Sequence, residues 1–219
     1  MQDRRSFLQR LALSTGAVIL MPAVSRCGAP QGASPTTATR NPDEPIRTEP
    51  AGWDAIAYNR ERGNAGFIPA TYQAAINAES GPKEALGKHL PYLPVVGSVP
   101  AGFIAMMWGD PSKGYGRHPN AVKSEANNQV GHWYDWIRVR KAEEGETEEL
   151  QSSYSDWPGT APGDNGAYAV FGEGDITADG GKNTIYLAAL PAGVTSGDRV
   201  RIWAHCLTHG EYVAFLTIP

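Results

Sequence analysis

Residues 198–218 read DRVRIWAHCLTHGEYVAFLTI, two apolar-rich runs hinged near a glycine. In the first run Val200, Ile202, Ala204 and Cys206 share one face of an extended chain. Arg199, Arg201, Trp203 and His205 share the other. Gly210 permits a tight turn, and EYVAFLTI returns as a partner strand. Cys206 is therefore directed with the core residues, and His205 the opposite way. Cys206 and His209 fall at a strand end and on the following bend. Two such donors, three residues apart on a bend, can share one metal ion.

The rest of the chain agrees with a β fold. FIAMMW, HWYDWIRVR, GAYAVF and NTIYLAAL are rich in β-branched, aromatic and other apolar residues. Turn residues punctuate them, among 25 Gly and 17 Pro in the chain. This predicts an all-β domain, an immunoglobulin-like β-sandwich or barrel. Residues 51–88 add a short helical N-terminal segment that includes TYQAAINAES. Residues 141–166, KAEEGETEELQSSYSDWPGTAPGDNG, are acidic and turn-rich and read as an exposed excursion. No internal repeat is visible.

The N-terminus differs in kind. Arg4 and Arg5 precede an apolar run from Leu11 to Val24. The Arg-Arg-x-Phe-Leu order resembles a twin-arginine export signal, which implies an exported, periplasmic or other extracytoplasmic protein. The expected organisation is a leader at 1–33, a mobile Pro/Thr/Ser/Ala-rich linker at 34–50 and a β domain at 51–219. Cys27 follows the apolar run, but Arg26 stands where a lipidation signal wants a small residue, so lipid anchoring there is not expected. Cleavage near Ser34 removes four arginines and one aspartate, a net +3, from a chain of net charge −4. The mature chain, near −7, is a poor partner for nucleic acid. Nothing in it is long and apolar enough to span a membrane. Cys206 would be its only cysteine, so no internal disulfide can form. An unpaired cysteine in an oxidising compartment calls for a reason such as metal ligation.

The histidines supply further candidate ligands. His89 lies in GKHLPYLP, His118 in GRHPN and His132 in GHWYDWIRV, each bordering a strand-like run. The ordered series KHLP (88–91), HPN (118–120), HWYDWI (132–137) and CLTHG (206–210) resembles the superoxide reductases, the neelaredoxin and desulfoferrodoxin group. The resemblance covers roughly residues 85–219. It implies one non-haem iron held by His89, His118, His132, Cys206 and His209, with His205 outside the ligand set. It implies one-electron reduction of superoxide to hydrogen peroxide, with Lys88 beside the reactive position as the catalytic cation. An axial thiolate would donate electron density to the iron, and backbone amides on its sulfur would tune that donation. Lys83, Lys113, Arg117 and Lys123 cluster in sequence around the first two histidines and would add to a positive funnel. A small redox protein, rubredoxin-like or other, is implied as electron donor, and a homo-oligomer is compatible.

The chain also departs from the family pattern. His118 and His132 stand 14 residues apart and His132 and Cys206 stand 74 apart, both enlarged separations. Gly87 occupies the position of a frequent family glutamate, and no Cys-rich N-terminal module is present, so one iron centre is expected. Two other classes compete with this reading. A cupredoxin-like copper electron carrier also uses a β-sandwich with a Cys and a nearby His, but usually adds a methionine after them, and none follows Cys206. A non-catalytic metal-binding module of the same fold is the other.

Overall fold

The computed structural model describes residues 43–219. The leader, Cys27, the cleavage point near Ser34 and residues 34–42 of the linker lie outside the described residues.

The domain opens with two short helices, α1 (Ala55–Arg62) and α2 (Ala70–Asn77). Asp54 starts α1: its carboxylate accepts the otherwise unpaired N–H groups of Ile56 and Ala57. A π-helical turn at Pro82–Leu86 and a 3-10 turn at Gly87–His89 lead into the strands. These are β1 (Pro91–Tyr92), β2 (Phe103–Trp108), β3 (Tyr134–Lys141) and β4 (Glu149–Ser153). β5 (Ala167–Val170), β6 (Thr184–Ala189), β7 (Arg199–Cys206) and β8 (Gly210–Thr217) complete the set. They form two four-stranded sheets in the orders β1-β2-β6-β5 and β4-β3-β7-β8, with every pairing antiparallel. The two sheets remain separate, so the fold is an all-β sandwich and not a closed barrel.

Alternation explains the core. Val200, Ile202, Ala204 and Cys206 are all at most 1% exposed and share one apolar cluster with Ile104, Met106 and Tyr186 of the other sheet. Burying each large aliphatic side chain of this cluster contributes about 1.5–3 kcal/mol. The opposite face of β7 is covered as well, which alternation alone does not reveal. Arg201 is fully buried there, paired with Glu149 and with Glu44, and donating to the Pro45 carbonyl at 3.0 Å. Asn59 of α1 exchanges two hydrogen bonds with the backbone of Val213 in β8, at 2.7 and 2.8 Å. This pins the helical segment to the sheet.

Two expectations are corrected. The last part of the linker packs against the domain: residues 43–49 strap the sheet, through Arg201 and through Arg199, which grips Glu49. Nor is the acidic stretch 141–166 simply an exposed excursion. Its ELQSS segment is β4, paired along β3, and Tyr154 and Trp157 beyond it are buried. Its stabilising contacts are cross-strand polar pairs such as Arg138–Glu149 and indole hydrogen bonds such as Trp157 to Thr184. Hydrophobic periodicity does not register such contacts. Among the described residues, no helix is long and apolar enough to cross a membrane.

Candidate metal centre

Three connections deliver the five candidate ligands: the segment before β1, the long β2–β3 connection, which carries two of them, and the β7–β8 turn. His89 ends the 3-10 turn before β1. His118 lies in the loop after β2, anchored by its N–H to the Trp108 carbonyl at 3.0 Å. His132 exchanges both backbone hydrogen bonds with Ala121 just ahead of β3. Cys206 is the last residue of β7, and His209 sits in the bend leading to β8. Gly210 closes that bend at φ +84, a conformation L side chains rarely adopt, and a Cβ there would run into the Phe67 carbonyl. The glycine of CLTHG thus lets the bend and the N-terminal segment pack together.

One donor atom from each of the five residues lies within 4.8 Å of all the others. His89 Nε2 and His132 Nε2 approach His209 Nδ1 to 3.0 and 3.1 Å. Cys206 Sγ is 3.6 Å from His118 Nε2 and 3.9 Å from His209 Nδ1. His89 Nδ1 meets the Ala85 carbonyl at 2.6 Å, which fixes the proton there and leaves Nε2 free to face the cluster. His118 Nδ1 is buried without a protein partner. The five side chains could hold one metal ion.

Electrostatics favour that use. Burial, with the neighbouring His209 and Lys88 adding to it, keeps His89 neutral far below the usual histidine range. Burial does the same for His118. It brings His132 down to about 4 and His209 down to about 3. Burial pushes the Cys206 thiol up to about 12, although backbone N–H groups of Thr208 and His209 face the sulfur and oppose the shift. Four neutral imidazoles with inward lone pairs are ready ligands. The thiol is the exception, and a bound cation would supply the charge that removes its proton. The donor set of nitrogens and one sulfur, with no carboxylate, suits a transition metal rather than calcium or magnesium.

Comparison with solved structures finds the superoxide reductase (neelaredoxin) from Archaeoglobus fulgidus in its reduced form. The identity is 16% and the TM-score 0.30, over 60% of this chain and 89% of that one. No family model and no curated protein matches.

The remaining sequence candidates are placed as follows. Lys88 is half-buried, with Nζ 5.5 Å from the centre of the Tyr72 ring, and its charge is felt at His89, His132, His209 and Cys206. Burial lowers its pKa, with Cys206 and Glu84 pulling the other way. Arg117 turns elsewhere, stacking on Phe171 and bonding Asn183. His205 is outside the cluster, hydrogen-bonded to Asp135 at 2.6 Å and stacked on Trp136. Gly87 is packed beneath Tyr115, whose ring fills the space a Cβ would need. A glutamate at this position would have to displace that ring.

Three tyrosines escaped the sequence reading. Tyr212 stacks on His89 at 4.3 Å and 6°, and donates to the His209 carbonyl at 3.0 Å. Tyr72 lies on His209 at 4.0 Å, and Tyr134 packs against His118 at 4.9 Å. Strand register could have flagged two of them: Tyr134 pairs with Cys206, and Tyr212 pairs with the inward Ala204. Tyr72 comes from α2 and carried no local signal.

The depressed histidines predict an acid response of the metal-free protein. Their folded pKa values lie below the unfolded value near 6.5, so the unfolded chain takes up protons first as the pH falls. Stability is complete above about pH 6.5 and is lost progressively toward the folded values. The denaturant midpoint should fall between about pH 7 and about pH 5, before most carboxylates titrate. The fall should be smaller in His132→Gln; an equal fall in both proteins would remove the histidines as its cause.

Proposed function

We propose that this chain reduces superoxide to hydrogen peroxide at one iron held by His89, His118, His132, His209 and Cys206. The observation that carries the reading is the convergence of four imidazoles and the one described cysteine within 4.8 Å, with a lysine beside them. The overall change is one superoxide, one electron and two protons giving one hydrogen peroxide. Bound at the cluster, iron supplies the electron by passing between its ferrous and ferric states.

The chain's own residues do the rest. Four neutral imidazoles bring no negative charge, so the centre does not repel an anion. The Cys206 thiolate adds one negative charge, held by the Thr208 and His209 amides. The Lys88 ammonium attracts superoxide and can orient a water that delivers a proton. Stacking of Tyr72 and Tyr212 on His209 and His89 holds those rings in place. A small one-electron redox protein as donor, and export through the twin-arginine leader, complete the reading on sequence grounds.

The deciding experiment is metal quantification of the purified chain, followed by stopped-flow mixing of its reduced form with superoxide. Iron near one per chain with fast single-step oxidation supports the reading. Copper in place of iron, or iron inert to superoxide, overturns it. Lys88→Ala should keep its iron while the encounter rate falls about tenfold, and added salt should slow the wild type more than the variant. A rate indifferent to both changes would remove the steering role.

A further inference from the structure

We propose that the aromatic chain His118, Tyr134, Tyr186, Tyr168 carries an oxidising equivalent from the metal centre to the protein surface, so that peroxide is reduced to water without oxidation of Cys206. This rests on the iron reading above. The chain begins at a candidate ligand. His118 is 4.9 Å from Tyr134 between ring centres, Tyr134 is 5.7 Å from Tyr186, and Tyr186 is 5.2 Å from Tyr168. Trp108 provides a parallel link, stacked on Tyr134 at 4.1 Å and edge-on to Tyr186 at 4.9 Å. Every step is ring against ring, with no intervening aliphatic side chain needed.

Buried aromatics also fill ordinary sandwich cores. The surroundings of the hydroxyls set this group apart. A phenol that loses an electron must also lose its proton. The Tyr134 hydroxyl donates to the His89 carbonyl, and that of Tyr186 to the Asn120 side-chain oxygen. Neither acceptor is a base, and both tyrosines are fully buried, so an oxidised state has nowhere to settle on them. Trp108 has a buried indole N–H with no partner, and so no proton acceptor either. Tyr168 differs. Its hydroxyl also donates to a backbone carbonyl, that of Asp156 at 3.0 Å, but it lies on the edge strand β5, is partly exposed to water, and has the Asp164 and Asp156 carboxylates near it. There a proton can leave to water or a carboxylate. The buried aromatics therefore pass the equivalent on, and Tyr168 keeps it.

The step balances. One hydrogen peroxide accepts one electron from ferrous iron and one from Tyr168. Its O–O bond breaks, and two waters form with the phenol's proton and one from solvent. The products are ferric iron and a neutral tyrosyl radical at 168. A thiol or similar small reductant restores the phenol with one hydrogen atom. Cys206, the oxidisable sulfur at the centre, is spared.

The test loads the whole exported chain with ferrous iron, mixes it with hydrogen peroxide, and freezes it within milliseconds for electron paramagnetic resonance. Oxidation of Cys206 is measured in parallel by mass spectrometry. The wild type should give a tyrosyl radical signal that Tyr168→Phe abolishes. Tyr186→Phe keeps the ring and the packing but should weaken the signal several-fold. In both variants Cys206 sulfinate and sulfonate should rise several-fold. A radical signal unchanged in Tyr168→Phe, or equal Cys206 oxidation in all three proteins, overturns the relay. Superoxide turnover on the same samples separates the two readings. Normal turnover with no radical sinks the relay alone, whereas a wild type that holds no iron and ignores superoxide sinks both.

Discussion

Cys206→Ser should abolish the sulfur-to-metal charge-transfer colour of the oxidised protein and lower superoxide turnover on the order of 100-fold or more, the upper end of what even an outer partner's loss costs a metal site. Sulfur and oxygen differ here in how tightly each holds its proton. Burial already raises the Cys206 thiol to about 12, and a serine hydroxyl in the same dry position is harder still to ionise. The Thr208 and His209 amides that face the sulfur cannot offset that difference. The substitution is small, and the site is fully buried among Val200, Ile202 and Ala204, so the sandwich should persist. Some iron should remain on the four imidazoles. The visible spectrum of the oxidised variant, read beside its turnover, makes the decision. An unchanged spectrum with unchanged turnover would reduce Cys206 to a buried small residue and end the proposed function.

The second large effect is expected at His89. His89→Ala should lower metal affinity by more than about 100-fold, since a ligand is removed and not merely its outer partner. It also strips the ring that stacks on Tyr212 and lies beside His118, and leaves the Ala85 carbonyl with only the long contact from the Tyr72 hydroxyl at 3.5 Å. A melting curve of the metal-free variant is therefore needed to separate lost ligation from lost fold. His205→Ala is the matched control. It lies one residue from Cys206 but faces Asp135 and Trp136, so metal content should be unchanged. Metal lost from His205→Ala and kept in His89→Ala would reverse the assignment.

The two substitutions also mark the boundary between local and tertiary information. The inward direction of Cys206 and outward direction of His205 were legible because a strand has a strict period of two, and the hairpin turn is written in Gly210. The all-β class was legible for the same reason, from short apolar runs between turn residues. His89, His118 and His132 were candidates through the order of their motifs. Nothing local to any of them specifies that its ring nitrogen meets the others: His89 precedes β1, and His118 and His132 stand 14 residues apart on the long β2–β3 connection. Only the packing of the two sheets and the 3-10 turn brings five donor atoms within 4.8 Å.

Other features had no local signature at all. ELQSS lacks the apolar alternation that announces a strand, and is held as β4 by pairing with β3 and by the buried Arg201. Residues 43–49 read as linker because they end a Pro/Thr/Ser/Ala-rich stretch, yet their carbonyls and carboxylates bind arginines some 150 positions away. The space at Gly87 is filled by Tyr115, and the rings on His89 and His209 come from β8 and α2. A sequence determines such contacts only through the whole fold, since burial and ring stacking depend on distance in space and not on spacing along the chain. The sequence by itself therefore determined the all-β class, the hairpin and which residue types were available as ligands; the two separate sheets decided sandwich over barrel. The tertiary structure alone decided that they converge, which tyrosines frame them, and that a line of rings runs from His118 to Tyr168.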